Sequence, residues 1–198
     1  RVPWVGCAPR AGPAAGAGEL AGERCRAKSR PGRSIAITAG SRGIANGDLI
    51  ARSIVDFVRA RGAGPFIGPA MGSHGGATAE GQLEVLASYG ITPEAMGCEI
   101  RSSMEVVELG TSDTGLPVYL DKNAYEAAGI IVSCRLQPHH ASRRPYESAP
   151  CTMLAVGLGK HKGAERGPSD GRGKRGATIP PSAQALLARA PHPLPTPL

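Results

Sequence analysis

The sequence predicts an α/β fold: a three-layer sandwich with a mostly parallel sheet and irregular or disordered termini. Three observations predict it. Residues 34–58 read as a strand, a glycine turn and an amphipathic helix in direct succession. A second apolar strand at 65–70 follows that helix at once. GIIVSC at 129–134 is a continuous apolar run, the kind of strand that a parallel sheet buries on both faces. Strands that alternate with helices place helical layers on both sides of one sheet.

The elements follow in order. Residues 1–33 are rich in Ala, Gly, Pro and Arg, with helical spacing only near 18–26, and form an irregular lead-in. Order begins at Ser34, where Ile35, Ala36, Ile37 and Thr38 make a short buried strand that runs into the turn Gly40, Ser41, Arg42, Gly43. Asn46 is placed to cap a helix whose Ile50, Ile54, Phe57 and Val58 fall at i, i+4, i+7 and i+8 on one face. That helix stops by Gly62, and the strand from Pro65 to Ala70 leads into the loop GSHGG at 72–76. Thr78 opens a second helix carrying Leu83, Val85, Leu86 and Tyr89 to a stop at Gly90. A short helical turn over 91–97 comes next, then strands at 106–109 and 117–120 around the Asp113, Thr114, Gly115 turn, and a brief helix over 122–128. MLAVGL at 153–158 reads as one more strand or a buried turn. The domain is therefore set at 34–164. Residues 165–198 form a basic Gly/Pro-rich tail, with a helix at 182–190 and disorder expected elsewhere, because the ending PHPLPTPL suits neither helix nor sheet. The Arg, Pro, Gly and Ala bias of both ends also matches GC-rich coding sequence translated out of frame.

Composition narrows the class. The formal net charge is +7, from 23 Lys and Arg against 16 Asp and Glu. Between Lys160 and Gly176 six basic residues stand against two acidic ones, a run that could meet phosphates but holds no aromatic residue on which a base could stack. A solvated tail is the expectation, and nucleic acid is not an expected partner. Five cysteines, at 7, 25, 98, 134 and 151, form no C-x-x-C pair, which fits a reduced, cytoplasmic setting. No apolar run approaches the ~18 residues of a membrane span, so no membrane partner is expected.

In open α/β sheets, reactive groups gather on loops at the carboxyl ends of strands. Three loops qualify. The first, at 40–46, presents Ser41, Arg42 and backbone N–H groups ahead of a helix, a place suited to a phosphate or simply a helix-start turn; neither G-x-G-x-x-G nor G-x-x-x-x-G-K-[ST] is present. The second carries His74 and the third His139 and His140. Two histidines reaching one cleft from separate strand ends could act as acid and base on opposite faces of a substrate, since imidazole exchanges protons near neutral pH. An ordinary polar loop role stands beside that reading for each of them. No carboxylate lies at the spacing that would complete a zinc site, and no metal ligand set is assigned.

Five segments in register then carry a resemblance: AITAGSRGIAN (36–46), PAMGSHGGATAEGQ (69–82), YGIT (89–92), RSSMEV (101–106) and GLGKHKGA (157–164). Together they resemble the N-terminal domain of the nickel-pincer lactate racemase family over residues 34–164. The resemblance implies an α/β domain that, with a second domain, encloses a nickel pincer nucleotide. It implies an isomerase activity in which that cofactor accepts a hydride from the 2-carbon of a 2-hydroxy acid and returns it to either face. By position, His74 and His139 match the two acid/base histidines, and Gly40, Ser41 and Arg42 match the loop that grips the nucleotide phosphate. The chain departs from the pattern where relatives read PHTDFRG and then ESGLMKML. Here the segments are PHHASRR (138–144) and ESAPCTML (147–154). The cofactor-linking lysine thus falls on Thr152 and the nickel-binding histidine on Pro168. Cys151, beside the lost lysine, is a soft donor or an inert small residue. A catalytically inactive fragment, or a nucleotide-binding remnant of the family, is the alternative reading.

Overall fold

A computed structural model describes residues 30–41, 44–134, 149–165, 172–190 and 193–194. Its first half is β1 (Ser34–Ala39), α1 (Gly47–Arg59), β2 (Gly64–Pro69), a 3₁₀ turn (Gly75–Ala77), α2 (Ala79–Ser88) and α3 (Pro93–Met96). The second half is β3 (Val106–Thr111), β4 (Pro117–Asp121), α4 (Lys122–Glu126), β5 (Gly129–Ile131), α5 (Ala149–Thr152), a π-helical turn (Met153–Gly157), α6 (Lys160–Glu165), α7 (Arg172–Arg189) and β6 (Pro193–Leu194). The main sheet runs β2-β1-β5-β6, and every neighbouring pair in it is parallel. Ile37 stands opposite Ile67 on one side and Ile131 on the other. β3 and β4 form a separate antiparallel ribbon.

The three layers follow from the alternation of side chains along each strand. Ile35, Ile37 and Ala39 of β1, with Ile67 and Ile131, pack against Ile54, Val55 and Val58 of α1, Leu86 of α2 and Met96 of α3. Ala36, Phe66 and Ile130 belong to the opposite core, with Val118 and Leu120 of β4, Leu154 of the π-helical turn, Leu158 just after it, and Leu186 of α7. Ile35, Val55, Ile67 and Leu120 are completely buried. Side chains of this size contribute about 1.5–3 kcal/mol each when removed from water.

Three local readings change, and a fourth, left between two alternatives, is decided. Asn46 does occupy the N-terminal boundary of α1, but at φ 57 and ψ 32 it is left-handed and its side chain makes no capping bond. Side-chain capping needs an extended backbone at that residue; here only the Asn46 carbonyl serves the helix, accepting from Ile50 N–H at 3.0 Å. The strand expected over 129–134 ends at Ile131, because Ser133 N–H turns to the Thr38 side chain at 3.0 Å. Of the strand or buried turn expected at 153–158, the turn forms: residues 153–157 are π-helical, closed by Leu158 N–H on the Met153 carbonyl. Within the tail, the helix expected from Ser182 begins at Arg172 and passes through Pro180 and Pro181. Interior prolines cost a helix about 3 kcal/mol. The stripe of Ile179, Ala183, Leu186 and Ala190 offsets this by burying itself against the second core. Among the described residues, no helix is long and apolar enough to cross a membrane.

Candidate functional site

The carboxyl ends of β1 and β2 lie side by side, tied by Ala70 N–H to the Ala39 carbonyl at 2.8 Å. Parallel pairing therefore delivers both following loops to the same edge of the sheet. There the Ser41 hydroxyl is hydrogen-bonded to His74 Nδ1. Tyr89, at the end of α2, donates its phenol O–H to the Ser41 carbonyl at 2.9 Å and steadies the serine from behind. His74 is exposed, with its ring available to a solute.

The loop that carries His74 is shaped by close backbone approach. Gly75 has φ +65, and a Cβ built on it would lie 2.6 Å from the Gly81 carbonyl, so only glycine fits where the loop meets the first turn of α2. Thr78 closes that junction, accepting from Gly81 N–H at 3.0 Å and donating to the Gly75 carbonyl at 3.2 Å. Gln82, fully buried one turn later, donates through Nε2 to the Gly72 carbonyl at 2.9 Å and to the His74 carbonyl at 3.3 Å.

Beneath Gln82 lies Lys160, 0% exposed. Its ammonium group donates to the Pro69 carbonyl at 2.5 Å and to Gln82 Oε1 at 3.2 Å, and it stands 3.1 Å from Asp121 Oδ2. The last contact is an ion pair rather than an aligned hydrogen bond, and among the described residues no other donor reaches Oδ2. Asp121 Oδ1 accepts from Asn123 N–H at 2.9 Å at the start of α4. Burial pushes the Asp121 carboxyl up from its ordinary value, against the pull of Lys160, and burial pushes the Lys160 ammonium down, against the pull of Asp121. Lys160 was counted with the solvated basic run; it is instead a core residue, drawn inward by the one carboxylate at the end of β4.

A cavity of about 190 Å³ opens beside the histidine, lined by Met71, His74, Tyr119, Val156, Thr178 and Ser182 among others. Its walls come from the His74 loop, the β3–β4 ribbon, the π turn and α7. Lys162 sits over the Tyr119 ring, 5.8 Å from its centre. Its described lining thus presents an imidazole ring, hydroxyl groups and apolar walls.

Of the residues singled out from sequence, Gly40, Ser41 and His74 are brought together. Gly40 also backs onto Met153: a Cβ on it would meet Met153 Cε at 3.0 Å. Thr152, next to Met153, is exposed. Arg42, His139, His140 and Pro168 lie outside the described residues. Gln82, Lys160 and Asp121 were missed as site residues; the available signal was a lysine locked between Gly159 and the rest of GLGKHKGA, and an aspartate closing the apolar strand PVYL.

The nickel pincer nucleotide implied by the resemblance does not fit the residues present. The Thr152 hydroxyl cannot form the thioamide link that a lysine makes at its position, and among the described residues no group of three His, Cys, Asp or Glu could hold a metal ion. No family model matches the chain, and no curated protein matches it.

Proposed function

We propose that this chain is a lactate racemase-like domain that receives a small 2-hydroxy acid beside His74 and has lost the hydride chemistry of the family. One observation carries the reading: two loops from adjacent parallel strands meet as Ser41 on His74 Nδ1, and His74 lines a cavity of about 190 Å³. Ser41 occupies Nδ1, so Nε2 is the ring nitrogen left to exchange a proton with a substrate hydroxyl. His139, by resemblance, supplies the second acid/base group from the opposite face. Interconversion of stereoisomers needs a hydride acceptor as well, and Thr152 gives the cofactor no covalent anchor. The domain is then a catalytically inactive member that retains binding, and the nucleotide-phosphate role of Gly40, Ser41 and Arg42 belongs to the same reading.

The test uses the full chain co-produced with the cofactor-making enzymes and incubated with single-enantiomer lactate. Bound nickel and racemisation are expected to be absent, while the His74 ring resonances shift saturably on titration with lactate. Racemisation with stoichiometric nickel would overturn the loss of hydride chemistry. A His74 ring indifferent to lactate up to about 100-fold above a millimolar Kd would remove the binding claim.

A further inference from the structure

We propose that Lys160, Gln82 and Asp121 are positioning residues for His74, acting through the backbone of the loop that carries it. The inference deepens the reading of His74 as the proton-exchanging group and rests on it. The path is continuous. The Asp121 carboxylate faces Lys160 Nζ at 3.1 Å, Lys160 donates to Gln82 Oε1 at 3.2 Å, and Gln82 Nε2 donates to the carbonyls of Gly72 and of His74 itself. Lys160 also holds the Pro69 carbonyl, the last residue of β2. Both ends of the segment 69–74 are therefore fastened to one ammonium group, directly at the strand end and through Gln82 at the histidine.

Three features argue that this is more than core packing. All three side chains are at most 1% exposed. Taking an ion pair out of water costs several kcal/mol, and apolar residues of similar volume often replace such a pair without loss of stability. An apolar residue could fill the space but could not bond the Pro69 carbonyl and Gln82 together. Lys160 also adopts φ 54, a left-handed conformation that a non-glycine residue rarely takes. That backbone aims its side chain inward from the first residue of α6, while the preceding turn holds the loop from another side through Gly72 N–H on the Gly157 carbonyl at 3.2 Å.

Lys160→Met and Gln82→Leu keep side-chain volume and delete the bonds. The measurement is the ¹⁵N spectrum of the His74 ring in the full chain, well below the melting temperature. The expected result is that the Nδ1 shift set by the Ser41 contact moves toward that of a free imidazole in both variants, and that the double variant goes no further than either single one. Loss of thermal stability alone, with the ring signature of the folded protein unchanged in both, would overturn the proposal. Should either variant fail to fold, native-state hydrogen exchange on the unaltered chain decides. The amides of His74 and Ala77 are expected to open with the same denaturant dependence as that of Asp121 and within about threefold of its rate. Opening of the His74 amide more than about tenfold faster than that of Asp121 would overturn the link. Neither readout involves lactate, so failure of the acid to bind and failure of this node are separate results.

Discussion

Ser41 engages His74 Nδ1, which under the proposed function leaves Nε2 as the nitrogen that exchanges a proton with substrate. Because Tyr89 grips the carbonyl of Ser41 rather than its hydroxyl, Ser41→Ala deletes the ring contact and leaves the backbone tie intact. The expected outcome is a His74 ring that populates both tautomers as a free imidazole does, read from its ¹⁵N shifts, with stability changed by no more than about 0.5 kcal/mol. At this scale the exposure of His74 was legible and the burial of Lys160 was not, for a physical reason. A histidine among glycines announces an open backbone whatever surrounds it, whereas a lysine in GKHK looks solvated until the distant Asp121 and the Pro69 carbonyl are placed beside it.

Among the elements, α2 shows how a local rule can reverse. Gly81 lies in its first turn, where replacing glycine by alanine ordinarily stabilises a helix by about 1 kcal/mol. A Cβ there would stand 2.0 Å from the Gly75 carbonyl oxygen, inside any permitted contact, so the His74 loop would have to move away from α2. Gly81→Ala is therefore expected to lower the urea midpoint and to release the His74 ring from Ser41; a raised midpoint would show the junction to be loose. The same contrast separates what sequence could and could not deliver. β1, β2 and the face of α1 are set by apolar spacing, and Ile54 and Val58 are buried as that spacing requires. The end of β5 and the π turn at 153–157 depend on which partner a single N–H finds, Ser133 choosing the Thr38 side chain and Leu158 the Met153 carbonyl five residues back. No periodicity encodes those choices.

For the molecule as a whole, the second core is completed from a stretch whose composition suggested a solvated tail. Gly, Pro and Arg dominate 165–198, and the two prolines inside α7 hide its apolar stripe from any count of helix formers. Once docked, Ala183 and Leu186 are buried at 1% and 0% exposure among Val118, Leu120 and Leu154, and Arg189 anchors the far end by donating to the Thr111 carbonyl at 2.6 Å. Thr178 and Ser182 of the same helix line the cavity beside His74, so stability and site share one element. Leu186→Ala tests this directly. A leucine buried in a formed core loses about 2–5 kcal/mol on truncation to alanine, whereas the same change in a solvated tail costs within about 0.5 kcal/mol. The expected result is a fall of that larger size in urea unfolding with an unchanged denaturant slope, together with weaker perturbation of His74 by lactate because the wall formed by α7 loosens. A midpoint unmoved by Leu186→Ala would mean that α7 does not close the core, and the cavity would then lack the side formed by Thr178 and Ser182.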